Sequence, residues 1–182
     1  MLQKYGRKMK ITRKPPRFHQ DNSCYFLTCC TYQHRPILHQ NDVPEILLHS
    51  LAFYIKHLEE LLAYTIMPDH IHLLANVRIV PELSIFLRDF KKWTTREIKN
   101  MLDLDCKYVW QRGTMDHCIR VSNNDFQQHL QYIFSNSWKH LGVPPKDFIY
   151  HNFSEIVSKG WLDDDFFDTN NEDLTRFYEY KE

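Results

Sequence analysis

Residues Leu61 to Val77 constrain this chain most strongly. Leu61 to Met67 and His70 to Val77 are apolar runs of strand length, and the dipeptide Pro68-Asp69 between them has the chemistry of a tight turn. The pattern predicts a β-hairpin, which forces an antiparallel pair into whatever fold the chain adopts. In the second run alternate side chains share a face, so Ile71, Leu73, Ala75 and Val77 form a continuous apolar surface. His70 and His72 project together from the other side and are expected to look outward.

The flanking segments predict how the hairpin is extended. Cys24 to Tyr32 is aromatic and β-branched without glycine or proline, and reads as a first strand closed by Pro36. Asn41 or Asp42 can cap a first helix with Pro44 in its opening turn, its apolar positions recurring at helical spacing through Glu60. Pro81 and Glu82 open a second helix to about Leu102, with Arg88, Lys91, Lys92 and Arg96 on its exposed face. Tyr108 to Gln111 and Met115 to Val121 are candidate short strands around Arg112-Gly113. A third helix starts after a cap at Ser122, Asn123 or Asn124 and runs to about His140, where Gly142 and Pro144-Pro145 stop it. The order β-α-β-β-α-β-α predicts an α+β fold of the ferredoxin-like (RRM-like) class, an antiparallel sheet with helices packed on one face.

Length and composition agree with one compact unit. The chain has 182 residues, 43% hydrophobic, with four glycines, which excludes collagenous and low-complexity classes. Its apolar runs fall short of the roughly 20 residues of a membrane span, and the start lacks the apolar core of a secretion signal. The expectation is an intracellular protein without a membrane partner. Five cysteines without a C-x-x-C pair argue against a disulfide framework or a cysteine-based zinc site. The formal net charge is zero, yet Lys4, Arg7, Lys8, Lys10, Arg13, Lys14 and Arg17 all precede the first acid, Asp21, while Asp163, Asp164, Asp165, Asp168, Glu172 and Asp173 crowd the other end. Three regions follow: a basic arm over 1–20 suited to phosphate, a central domain over 21–145 and an acidic extension over 146–182.

Two imidazoles one strand pitch apart can reach a single divalent ion, and such ligands suit zinc, manganese or, with oxygen partners, magnesium. At about 100° per residue, Phe126, Leu130, Ile133, Phe134 and Leu141 cluster on one side of the third helix, with Tyr132 and Asn136 together on another face, expected to be exposed. Their i, i+4 spacing lets the asparagine complete a metal site beside a tyrosine nucleophile.

Met67-Pro68-Asp69-His70-Ile71-His72-Leu73-Leu74 resembles the M-P-N-H-hydrophobic-H-L-L segment of the single-tyrosine HUH transposases. This is the IS200-like group that includes the REP-associated tyrosine transposases. Tyr25-Phe26-Leu27-Thr28 is similar to the family's Y-F-x-T, Val109-Trp110-Gln111 to its V-W-Q, Asp116-His117-Cys118-Ile119-Arg120 to its D-H-x-I-R, and Tyr132-Ile133-Phe134-Ser135-Asn136 to its Y-I-x-x-N, in the family's order. An asparagine where insertion-sequence transposases usually carry glutamine favours the REP-associated branch. Asp69 replaces an asparagine, and Ser137-Trp138 stands where that branch usually continues with proline.

The resemblance implies a metal-dependent endonuclease and strand transferase, with Mg²⁺ or Mn²⁺ held by His70, His72 and Asn136 and a nucleophile at Tyr132. It also implies a single-stranded DNA partner with hairpin, REP-like repeats, a setting in the cytoplasm at the nucleoid, and compatibility with a homodimer. Arg120, Arg88, Lys91, Lys92 and Arg96 are candidates for phosphate contact, and Trp110, Trp93 or Tyr108 for base stacking. His129 is a candidate helper for Tyr132, whose phenol, with an ordinary pKa near 10, is a poor nucleophile at neutral pH. Two rival readings use the same residues. One is a catalytically silent module that binds single strands, and the other a histidine-carboxylate hydrolase using Asp69 or Asp116 with Tyr132 merely structural.

Overall fold

A computed structural model describes residues 19–121 and 124–165 of the chain. The basic arm up to residue 18 and the acidic residues Asp168, Glu172 and Asp173 lie outside the described residues. The elements run β1 (Ser23–Cys30), α1 (Val43–Tyr54), β2 (Glu60–Ile66), β3 (His70–Val77), α2 (Val80–Met101), β4 (Met115–Cys118), α3 (Asp125–Leu141) and α4 (Phe153–Ser158). The four strands form one antiparallel sheet in the order β2-β3-β1-β4, the ferredoxin-like arrangement expected from the element order.

The hairpin closes at Pro68-Asp69, where the Met67 N–H donates to the His70 carbonyl at 2.8 Å. Alternation in β1 and β3 then divides the residues between two cores. Tyr25, Leu27, Cys29, Ile71, Leu73, Ala75 and Val77 face α1 and α2, where Leu47, Phe86, Phe90 and Ile98 meet them. Phe26 and Leu74 face the other way and pack with Leu130, Ile133 and Phe134 of α3 and Phe153 and Ile156 of α4. The two helices of the ferredoxin-like unit thus share one face as expected, and α3 with α4 adds a third layer.

That layer extends past the predicted edge of the domain. Residues 146–162 begin the region read as an acidic extension, yet Phe153, Ile156 and Leu162 are buried in the second core. Asn152 accepts from the Tyr64 N–H and donates to the Leu62 carbonyl, which ties this segment to β2.

Several local expectations need correction. Tyr108 to Gln111 forms no strand, because only Trp110 makes an isolated bridge to Thr31 and its ring is buried instead. The first helix ends at Tyr54 and passes into a 3₁₀ turn over Ile55–His57 rather than reaching Glu60. Helix capping is tertiary at α2: the exposed first-turn N–H of Val80 is taken by the Asp21 carboxylate at 2.8 Å. Gly142 ends α3 in the left-handed conformation at φ 67° that glycine adopts without strain, as its position after the apolar pattern predicts. All five cysteines are free thiols, and no helix of the described residues is long and apolar enough to cross a membrane.

Phe90 is fully buried between α2 and the sheet. Phe90→Ala should lower unfolding free energy by about 3–5 kcal/mol in urea titrations. Ile149→Ala, at a site 75% exposed, should change it by less than about 0.5 kcal/mol.

Candidate metal and nucleophile centre

The polar side chains of interest lie where α3 crosses the second face of the sheet. The β1–β3 register sets Thr28 opposite His72 and Cys30 opposite His70, so both histidines rise from a central strand under the helix. They do not look outward into solvent: His72 is 1% exposed and the His70 side chain 13%, and Asn136 beside them is fully buried. The face of α3 carrying Tyr132 and Asn136, expected to be exposed, is the face laid against the sheet. Helical periodicity separates that face from Leu130 and Ile133 correctly, but both are covered, since Leu130 and Ile133 also pack on Phe26 and Leu74 of the sheet, beside α4.

The residues predicted as a metal set come together here. The His70 and His72 rings are 4.7 Å apart between centroids, and the Tyr132 ring meets His72 edge-on at 5.2 Å. Each imidazole has one nitrogen committed to a neighbour. His72 Nδ1 lies 2.8 Å from the Thr28 hydroxyl, and His70 Nδ1 lies 2.7 Å from an Asp69 carboxylate oxygen. A carboxylate oxygen accepts, so His70 Nδ1 carries the proton and Nε2 is left with its lone pair, the carboxylate–histidine arrangement that orients metal ligands. Asn136 donates its amide to the Tyr132 carbonyl one turn back. Among the described residues its Oδ1, His72 Nε2 and Ser50 Oγ are the buried side-chain atoms without a well-formed hydrogen bond, the Asn136 and His72 side chains meeting only each other. Buried polar atoms rarely stay unpaired; Asn136 Oδ1 offers a lone pair that a divalent ion takes, and His72 Nε2 does so in the tautomer whose Nδ1–H is donated to the Thr28 hydroxyl. The residues present therefore fit a metal.

Electrostatics support the same state. Burial first, and the neighbouring His70 second, push the His72 imidazole well below its ordinary range, against a smaller opposing effect from the Asn136 side chain. A neutral imidazole is the form that binds metal. At Asp69 burial pushes the carboxyl up, but bonds to His70 and to His34, at 2.9 Å, outweigh it and keep the group below the usual carboxylate range. Asp69 thus orients a ligand imidazole, and Asp116 is turned toward His19 at 3.0 Å. Neither carboxylate joins the paired histidines in the way the hydrolase reading needs.

The predicted DNA contacts are scattered. Helix α2 packs on the opposite face of the sheet from Tyr132. Its Arg88 is paired with Asp89 and its Arg96 with Glu97, while Lys91 donates to the Gln111 and Gly113 carbonyls. Lys92 and Trp93 line an outer pocket with Tyr54, Asp89 and Arg96. Trp110 is no stacking platform: it is buried, and its indole N–H donates to Thr94 at 2.9 Å. Tyr108, by contrast, is partly exposed and lies against Tyr32. Arg120 is exposed just past β4, and its backbone N–H donates to Asp125 at the start of α3.

Two features went unread in the sequence. Thr28 sits inside the Y-F-x-T segment, but its role as the His72 partner needs the β1–β3 register. His117, Asp125 and His129 converge so that one ligand atom from each lies within 4.8 Å of the others. The signal for two of those three residues, an Asp-x-x-x-His spacing on one helix, was present in the sequence.

Comparison with known proteins agrees with this architecture. The family described as "Transposase IS200 like" matches residues 19–136. A Haemophilus influenzae protein named for the REP-associated tyrosine transposases is 33% identical over 117 residues, 56% of this chain and 66% of its own. The chain therefore spans just under two thirds of that relative. A solved structure described as a REP-associated tyrosine transposase bound to a REP hairpin matches with a TM-score of 0.68 at 23% identity, over 83% of this chain and 88% of that one. At that identity the likeness bears on the fold.

His39, His72, His129 and His151 are all held below their ordinary value of 6.5, with burial the largest cause. Below about pH 6.5 the unfolded chain takes up protons at these positions while the folded chain resists, so folding stability is full above that pH and erodes as pH falls toward the lower folded values. Urea midpoints should drop between about pH 7.5 and pH 5.5, before carboxylates titrate. An unchanged midpoint across that interval would contradict this account.

Proposed function

The chain belongs to the IS200-like transposase family, and from that premise we propose that it cleaves and rejoins single-stranded DNA beside hairpin, REP-like repeats. In this reading His70, His72 and Asn136 hold Mg²⁺ or Mn²⁺, and Tyr132 is the nucleophile. The observation that carries it is the pair of buried, unpartnered atoms, His72 Nε2 and Asn136 Oδ1, beside the Tyr132 ring. An ion held between these two atoms would take up both lone pairs, and this supports an active centre over a silent binding module.

When bound, the ion supplies Lewis acidity toward the scissile phosphate and its departing oxygen. The chain's own residues do the rest. The Tyr132 phenolic oxygen attacks phosphorus as the bond to the 3′ oxygen breaks, the phenol loses its proton and the 3′ oxygen gains one. The 5′ phosphate is left on the tyrosine. Because the new phosphotyrosyl ester keeps the energy of the phosphodiester, a 3′-hydroxyl can attack it and restore the strand, so the same centre cuts and joins. Asn136 binds its own turn through the Tyr132 carbonyl, which couples the ligand to the nucleophile's backbone. Phe26 packs edge-on against the Tyr132 ring at 5.8 Å and narrows the ring's range of positions.

In this reading both imidazoles and the tyrosine are supplied by one chain, an arrangement compatible with a monomer or a homodimer. Arg120 is the DNA contact favoured by this placement, since it lies beside the start of the tyrosine helix, while the α2 cations lie across the sheet and are largely paired. The fold likeness to a protein described as bound to a REP hairpin supports that substrate class.

A labelled hairpin-bearing single strand incubated with Mg²⁺ or Mn²⁺ should give a covalent protein–DNA adduct on a denaturing gel. Tyr132→Phe should abolish the adduct and His72→Ala should reduce it below detection. Cleavage that persists in Tyr132→Phe without an adduct would sink the tyrosine mechanism in favour of hydrolysis. Arg120→Ala should weaken DNA binding and reduce the salt slope of log affinity by about 1.

A further inference from the structure

We propose that His117, Asp125 and His129 form a second divalent-cation site, separate from the His70–His72–Asn136 centre, which takes a transition ion such as Zn²⁺, Co²⁺ or Mn²⁺ and pins the tyrosine helix to β4. The three residues come from two elements. His117 lies on β4, opposite Phe26 in the β1 register, and Asp125 and His129 stand one turn apart on α3. His117 Nε2 is 2.8 Å from one Asp125 carboxylate oxygen and His129 Nδ1 is 3.0 Å from the other. One ligand atom from each side chain falls within 4.8 Å of the other two. The two rings are 4.8 Å apart and nearly parallel, at 15°, a separation that one ion can bridge at roughly 2.1 Å per metal–nitrogen bond once the rings turn toward it.

The donor set selects the class of ion. Two imidazoles and one carboxylate suit first-row transition metals and leave positions for water, whereas magnesium favours an oxygen shell. The surroundings already have the form of an outer shell. His129 Nδ1 also lies 2.8 Å from the Asp125 backbone carbonyl, which holds the ring over its own first turn. Asp125 is oriented by the Arg120 N–H at 2.8 Å. Among the described residues the ion pairs of Asp125 are to imidazoles alone, so its nearly buried carboxylate has no lysine or arginine side chain to balance it. His117 is 35% exposed against 14% for His129, which gives an open side for ion entry. The protons that His117 Nε2 and His129 Nδ1 share with Asp125 pass to water or to the far ring nitrogen as an ion arrives.

This site stands apart from the proposed catalytic centre. The Phe26 ring lies between them, 4.8 Å from the His129 ring and 5.2 Å from the His72 ring. An ion here would join β4 to the first turn of α3, one turn ahead of Tyr132, and so hold the nucleophile's helix against its own sheet. The inference does not rest on the proposed chemistry, since it concerns different ligands.

The test is ion stoichiometry on the metal-stripped full chain, by equilibrium dialysis against Co²⁺ and Zn²⁺ with metal analysis and Co²⁺ absorption spectra. Wild type should hold two ions. The paired substitution His117→Ala/His129→Ala should hold one, and His72→Ala should also hold one, with the remaining Co²⁺ spectrum different in the two cases. Asp125→Asn keeps the shape and most hydrogen bonds of the cluster, so it should fold normally and still lose the second ion. One ion in wild type that His72→Ala removes, or two ions retained in the paired variant or in Asp125→Asn, overturns the proposal. One ion that survives His72→Ala but not the paired substitution upholds it and counts against the metal at His70 and His72. No ion in wild type refutes both.

Discussion

The contact on which the rest depends is that of α3 with the second face of the sheet. A four-stranded sheet covered only by α1 and α2 would leave Phe26 and Leu74 in water. Laying α3 and α4 over them buries Leu130, Ile133, Phe134, Phe153 and Ile156 as well, and each such side chain contributes about 1.5–3 kcal/mol. That apolar gain holds in place a neighbouring stripe of polar residues, Asp125, His129, Tyr132 and Asn136, which faces the sheet beside it. The helix is thus bound by its hydrophobic side and presents its chemistry with its polar one. Gly142 after it fixes where that stripe ends.

Burying polar groups in this way costs stability unless each finds a partner, and the pattern of partners separates two kinds of group. Thr94, Thr65 and Ser137 are buried and bonded to nearby atoms. His72 and Asn136 are each bonded on one side, to Thr28 and to the Tyr132 carbonyl, and on the other meet only each other. An open lone pair in a water-poor interior is the structural condition for holding an ion, and burial keeps the imidazole neutral so that the lone pair is available. The Asp69 carboxylate performs the outer task, locking the His70 ring through the same hydrogen-bond logic. A carboxylate at that position is the chain's departure from the family's asparagine, and its second oxygen is occupied by His34.

Much of this was readable from the chain alone. The hairpin, the alternation that sets His70 and His72 on one side of β3, and the α+β order all follow from local periodicities of two and 3.6, which act over a few residues. The grouping of Tyr132 with Asn136 is likewise fixed by helix geometry. What periodicity leaves open is which surface a given face meets. Trp110 has the composition of a stacking residue but is core, because the long loop after α2 returns it to Phe90. Arg88 and Arg96 look free in a helical projection but pair with their adjacent acids, and α2 has its apolar side on the far face of the sheet.

The sequence by itself determined the element order, the division of β3 into an apolar and a histidine face, and the spacing of the tyrosine and asparagine, since each is set by short-range backbone geometry and side-chain type. Only the tertiary structure decided that the histidine face and the tyrosine face meet, that both are buried, and that His117 joins Asp125 and His129. Those outcomes depend on the β1–β3–β4 register and on the seating of α3, which the burial of side chains far apart in the chain brings about.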